Sequence, residues 1–266
     1  MSVKSIVAFV PPQAAGQTNA ALEKALALGA ELSARVVVLS YTIDILGPAA
    51  TESDEETALA AARTAILARA DRVGVACLVV DRTSHAYGIG EVFADHLKVA
   101  DLGVLGGDPR PHSAQRMLIS AAVFDSGRPV ILMPEVAPDR LPGRILAAWD
   151  GTAAAARALH EAMPLMRLAS EVIVVRISED QGFRSGQSGI EAGHHLARHG
   201  IRATFREVDR GKRSVFDTLI ETARETGAGL IVCGAVRHSV AHDLIFGSVT
   251  SSVLAGESPL PVLLST

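Results

Sequence analysis

The chain has 266 residues, of which 48% are hydrophobic and 20% charged, so it carries enough apolar material for a large buried core and is not a disordered polymer. Its net charge of −4 argues against nucleic acid or an anionic membrane as the main partner, since both select a basic face. One tryptophan, two tyrosines and seven phenylalanines are too few for a base-stacking platform of the single-strand-binding kind. The opening stretch contains the apolar run Ser5-Ile6-Val7-Ala8-Phe9-Val10, which Pro11 and Pro12 interrupt. It reads as a first strand, not a signal peptide. An Ala-rich helical stretch over 19–32 follows, then the β-branched run Val36-Val37-Val38-Leu39. Thr51-Glu52-Ser53-Asp54-Glu55-Glu56-Thr57 reads as an acidic loop leading into a helix, with its carboxylates near the positive helix end. Strand-like runs follow at Val79-Val80-Asp81-Arg82, at Asp101 to Gly106, and at Arg128-Pro129-Val130-Ile131-Leu132.

The same order then repeats. Arg144-Ile145-Leu146-Ala147-Ala148-Trp149 matches the opening run, and residues 153–168 form the second Ala-rich stretch. Val172-Ile173-Val174-Val175, Glu207-Val208-Asp209-Arg210, Gly229 to Gly234, and Leu260-Pro261-Val262-Leu263-Leu264 complete six corresponding blocks. Residues 135–143 carry Pro138 and Pro142 and read as a linker. Two domains are therefore expected, at 1–137 and 143–266. Each alternates strand and helix, with short apolar strands typical of a parallel sheet covered on both faces. The fold class is α/β, with two tandem Rossmann-like domains and an open five-stranded, mainly parallel sheet in each. Ligands of such sheets bind beyond the carboxyl ends of the strands. Cys77 and Cys233 both lie in strand-like runs without a nearby partner, which suits a reduced, cytoplasmic chain.

The loop after the fourth strand of the second half holds the most chemistry. Gly234 ends a strand, and Gly247-Ser248 precedes a helical stretch beginning Val249-Thr250. A glycine at a helix start lets backbone N–H groups point at an anion, with hydroxyls as further donors. Gly247-Ser248 reads equally well as a plain N-cap. The spacing of Gly234, Gly247 and Ser248 matches a G-x2-G-x9-G-[S/T] signature, Asp150-Gly151-Thr152 follows the first strand, and Pro261-Val262 opens the last. In these features the chain resembles the universal stress protein (UspA-like) family, in its tandem two-domain class. The resemblance implies a Usp-type fold, with adenine nucleotide, ATP or AMP, bound in the second domain. It implies that Asp150 meets the adenine edge and that the backbone just past the second strand, near Arg176 and Ile177, lines the base pocket. Gly234, Gly247, Ser248, Val249 and Thr250 would hold ribose and phosphates, and Gly151 and Thr152 belong to the same site.

Arg237 stands where the family's middle glycine stands, and it either supplements the phosphate site with charge or blocks it. His238 and His242 lie four apart in the same loop, as a phosphate contact, a metal pair or plain loop histidines. His195 and His199, also four apart, read as a solvated helix end rather than a metal site. No metal site is expected beyond Mg accompanying ATP, and no catalytic elbow or dyad is evident. Residues 183–189 read as a loop beside the nucleotide pocket. In the first half, Pro11 and Pro12 replace Asp150, and no Gly-Ser follows Gly106-Gly107. That half is expected to pack and not to bind nucleotide. The function expected is that of a nucleotide-dependent regulator or interaction module in stress response. The alternatives are a binding-deficient interaction protein and a slow ATP hydrolase. The last strands, at Val130-Ile131-Leu132 and Val262-Leu263-Leu264, are expected to pair within the chain as an internal pseudo-dimer, with homodimerisation left open.

Overall fold

A computed structural model of the chain describes residues 2–15, 19–44, 52–85, 88–107, 113–134, 143–178, 187–236 and 249–266. The first half runs β1 (Ser5–Phe9), α1 (Pro12–Ala15), α2 (Ala20–Leu32), β2 (Arg35–Asp44), α3 (Glu52–Arg72), β3 (Cys77–His85), α4 (Ile89–Lys98), β4 (Leu102–Gly106), α5 (Ala114–Asp125) and β5 (Val130–Met133). The second runs β6 (Arg144–Ala148), α6 (Ala153–Met166), β7 (Glu171–Ser178), α7 (Gln187–Arg198), β8 (Ala203–Asp209), α8 (Val215–Thr226), β9 (Leu230–Gly234), α9 (Val249–Leu254) and β10 (Val262–Ser265). The acidic segment expected as a loop is helical from Glu52 onward. Carboxylates in the first turns of a helix suit its dipole, so the charge that suggested a loop favours the helix start itself.

All ten strands form one sheet, in the order β3-β2-β1-β4-β5-β10-β9-β6-β7-β8. Within each half every neighbouring pair is parallel. The halves join where β5 and β10 run antiparallel, pairing Leu132 with Val262, Ile131 with Leu263 and Val130 with Leu264. The segments expected to pair thus do so, and the pairing merges the two five-stranded sheets.

Alternation along the strands sends side chains to two cores. Val36 and Val38 join one, and Val37 and Leu39 the other. Helices α2, α3, α6 and α7 cover the first face, and α4, α5, α8 and α9 the second. Each core crosses from one half into the other, because Ile131 and Leu263 share the first core while Val130, Leu132, Val262 and Leu264 share the second. Local signals set the helix ends. Asn19 accepts from the Leu22 amide, Ser113 from Arg116 and Ser214 from Asp217. Gly227, at φ +68°, closes α8 in the left-handed conformation that glycine adopts cheaply.

Candidate functional site

In the second half, β6 lies between β9 and β7. The chain leaves β6 toward β7 on one side and returns through β9 on the other. This reversal of strand order opens a crevice beyond the strand ends. The crevice holds a cavity of about 350 Å³, at the lower end of the range for small-molecule sites. Ala148, Trp149 and Asp150 border it from the end of β6, and Val175 and Ile177 from β7. Val215 and Leu219 of α8 add an aliphatic wall. Cys233 and Gly234 come from β9, Val236 just beyond it, Ala155 from α6, and Val249 and Thr250 from α9.

Asp150 is exposed at the rim. Its Oδ1 accepts from the Thr152 amide at 2.9 Å and from Thr152 Oγ1 at 2.7 Å. Thr152 Oγ1 in turn accepts from the Ala155 amide at 3.2 Å and caps α6. Gly151, at φ +77°, supplies the left-handed residue of this turn. Asp150-Gly151-Thr152 is therefore a turn-and-cap that fixes where the carboxylate stands. Gly151 and Thr152 lie beside the cavity rather than along its wall, since the lining passes from Asp150 to Ala155.

Gly234 has a steric role that its sequence context does not reveal. A Cβ there would lie 2.5 Å from the Ala155 nitrogen and 2.6 Å from the Ala154 carbonyl carbon. Strand β9 thus passes against the first turn of α6, and only hydrogen fits between them. Beyond it, Thr250 is 6% exposed, and its Oγ1 accepts a long contact of 3.5 Å from the Val236 amide. This contact brings together the two flanks of the signature loop. Arg237, His238, His242, Gly247 and Ser248 lie outside the described residues.

Cys233 is fully buried in the floor of the cavity. Burial, and after it the nearby Asp150 carboxylate, pushes its thiol up to about 12. The thiol is thus protonated at neutral pH, and Cys233 adds no charge to the floor.

Sequence reasoning placed Asp150, Ile177, Gly234, Val249 and Thr250 at this site, and all five border the cavity. Arg176 needs correction. Both Arg176 and Ile177 lie inside β7, which continues to Ser178, rather than beyond the strand. Period-two alternation points Ile177 into the cavity and Arg176 to the opposite face, 3.9 Å from Glu207. Trp149, Val175, Val215, Leu219 and Cys233 were not foreseen. Alternation outward from Ile177 would have found Val175, and Cys233 directly precedes the strand-ending glycine. Nothing local marks Val215 and Leu219 for the site, because their apolar spacing serves the core equally well.

The sheet register aligns the halves residue by residue. Phe9 corresponds to Ala148, Pro11 to Asp150, Tyr41 to Ile177 and Gly106 to Gly234. Phe9 and Tyr41 are 4% and 2% exposed and pack in one core with Ile89 and Phe93. Aromatic rings thus stand in the first half where the second half has Ala148 and Ile177.

Away from the cavity, His195 of α7 meets the ring of His160 from α6 and that of His199, with centroids 4.8 Å apart in each case. Among the described residues, no group of three histidine, cysteine or acidic side chains is arranged to hold a metal ion. Nε2 of His195 is buried without a hydrogen-bond partner among the described residues. Burial, then His160, His199 and Arg198, holds His195 below its ordinary pKa of 6.5. The unfolded chain therefore binds the proton more readily than the folded one. Stability is expected to fall as pH drops from about 6.5 through the lower folded value. Thermal midpoints measured from pH 7.5 to 5 should decline less in a His195→Asn variant than in the parent. Equal slopes would show that the cluster does not contribute.

No helix among the described residues is long and apolar enough to cross a membrane. Residues 142–265 match the model of the universal stress protein family. A universal stress protein from Archaeoglobus fulgidus DSM 4304 is similar in structure, with a TM-score of 0.72 at 15% identity over 98% of this chain and 96% of its own. A functionally unknown protein from Pseudomonas aeruginosa PAO1 gives a TM-score of 0.63 at 14% identity, over 99% of this chain and 92% of its own. At these identities the likeness concerns the fold, and it extends over both halves. No curated protein matches the chain.

Proposed function

The second half of this chain, residues 142–265, belongs to the universal stress protein family, and from that premise we propose that its cleft binds an adenine nucleotide, ATP or AMP, and that occupancy makes the protein a regulator or interaction module in stress response. The observation that carries this reading is the 350 Å³ cavity at the strand-order reversal, with aliphatic walls and the Asp150 carboxylate at its rim. A purine suits such a space. Its faces pack against Val175, Ile177, Val215 and Leu219, while its exocyclic amine donates to Asp150. Ribose and phosphate then extend toward Gly234, Thr250 and the loop that joins them. We assign the first half a packing role, because Phe9 and Tyr41 fill the space that Ala148 and Ile177 leave open.

Calorimetry on the full chain tests this reading. One molecule of ATP or AMP should bind per chain. Asp150→Asn should weaken binding by about tenfold, the cost of losing one charged hydrogen bond. The asparagine oxygen can still accept from Thr152 and keep the turn, but its amide then offers a donor to the adenine amine. The thermal midpoint should therefore stay close to that of the parent. No heat at millimolar ATP or AMP would replace this reading with a binding-deficient interaction protein. Two nucleotides per chain would overturn the packing role of the first half.

A further inference from the structure

Helix α9 stands between two cavities, and we infer that it couples them: a ligand in the nucleotide cleft pushes α9 toward the seam between the halves, so that the first half receives the signal of occupancy. The inference rests on the nucleotide reading of the cleft and concerns how occupancy is passed on.

The second cavity, of about 210 Å³, lies at the antiparallel seam. Gly107, Leu132 and Met133 line it from the first half, and Val253, Gly256 and Leu260 from the second. In the first turn of α9, Val249 and Thr250 border the nucleotide cleft, while Val253 near its end borders the seam cavity. One short helix thus belongs to both walls. Sideways, α9 touches α8 of its own half and α5 of the other.

The exit from α9 meets the first half backbone to backbone. Gly256, at φ +70°, turns the chain out of the helix, and its amide donates to the Val253 carbonyl at 3.0 Å. Its Cα stands 3.5 Å from the place a Cβ on Gly107 would take. Gly107 directly follows β4, and its amide donates at 2.8 Å to the carbonyl of Met133, the last residue of β5. A displacement of Gly256 therefore bears on the β4–β5 end without a flexible side chain in between.

Space decides which helix can move. Protein interiors are close-packed, so an element shifts only where room adjoins it. Helix α9 has six residues, of which Thr250 and Val253 are fully buried, and it has a cavity at each end. In the first half α5 also leads into the last strand, but it has twelve residues and packs tightly on α4: a Cβ on Gly90 would stand 3.0 Å from the Ala121 Cβ. The cleft lies at the lower end of the size range for small-molecule sites, so a nucleotide that fills it presses on Val249 and Thr250. The seam cavity takes up a helix shift of about 1–2 Å, the usual size of such movements at interfaces. Coupling of this kind is reciprocal, so filling the seam cavity lowers the affinity of the cleft.

The test follows leucine methyl resonances of the full chain by NMR during titration with AMP. Leu219 lines the cleft, and its methyls should shift whenever AMP binds. Leu132 and Leu260, which line the seam cavity and not the cleft, should shift along the same titration curve. Leu39, in β2 of the first half, should stay unchanged. Leu132→Phe fills part of the seam cavity and should weaken AMP about fivefold, the lower end for coupling between sites. Shifts at Leu219 without shifts at Leu132 and Leu260, or equal AMP affinity in parent and Leu132→Phe, would overturn the inference and leave the nucleotide reading standing. No shift at any of these leucines, together with no heat from AMP or ATP, would remove both. The parent spectra decide the matter even if Leu132→Phe does not fold.

Discussion

Replacing Gly234 with alanine is expected to cost about 3 kcal/mol of stability, toward the upper end for an overpacked site, and to lower the thermal midpoint by roughly 6–12 °C. The added methyl would stand 2.5 Å from the Ala155 nitrogen and 2.9 Å from the Ala154 Cβ. Two of its three closest neighbours are backbone atoms, so no side-chain rotation relieves the clash. Either β9 or the first turn of α6 must move. Moving that turn disturbs the Thr152 cap and, through it, the position of Asp150. Ligand affinity should therefore fall together with stability. The control is Gly143→Ala, where an added Cβ meets nothing within 4 Å. It should leave the midpoint within about 2 °C, as for an ordinary surface change. A Gly234→Ala protein as stable as the parent would show that the strand and helix are not in the contact described. Loss of binding without loss of stability would instead make Gly234 a residue of the anion site alone.

The second large effect belongs to the seam between the halves. Leu263 is fully buried, Ile131 is 2% exposed, and the two are register partners across the antiparallel β5–β10 pair. Truncating either to alanine removes several buried methyl groups at the centre of a ten-stranded sheet, where neighbouring backbone cannot collapse to fill the space. A loss of about 3–4 kcal/mol is expected for each in urea unfolding. Because the side chains touch one shared space, the double variant should lose at least about 0.5 kcal/mol less than the sum of the two. Additive losses would mean that the two positions do not pack together. The wider consequence concerns cooperativity. Both cores cross this seam, so the halves should unfold in one transition in the parent. The seam variants should separate that transition into two, with coincidence of fluorescence and circular dichroism as the measure. Trp149 reports the second half alone, which makes the comparison direct.

These effects separate what is written locally from what is assembled. Apolar runs such as Val172-Ile173-Val174-Val175 are short, continuous and β-branched, and their placement between Ala-rich stretches was enough to give a doubly covered parallel sheet. The six repeated blocks gave the two-half plan, because duplication leaves its mark in residue order. Helix caps were equally local. Asn19, Ser113, Thr152 and Ser214 each accept from an amide three residues ahead. Gly234 stands out locally because a glycine ends an apolar strand run, whereas Asp150 does so only through the resemblance of Asp150-Gly151-Thr152 to the family.

Other features depend on residues that only folding brings together. The bond from Trp149 to Ser188 crosses 39 residues, and nothing near either one announces it. His160 reaches His195 from a different helix, so the spacing of His195 and His199 showed only part of the cluster. The acidic residues from Glu52 onward fit a helix start as well as a loop, and local composition does not separate the two. The family resemblance implies a place for Gly234 beside ribose and phosphates, whereas its closest constraint is the backbone of α6. The amino-acid sequence determined which segments become strands and helices and how the plan repeats, because hydrophobic period and capping act over a few residues. The tertiary structure alone decided which residues enclose the cavity and how the two sheets become one, because those outcomes depend on distances between segments far apart in the chain.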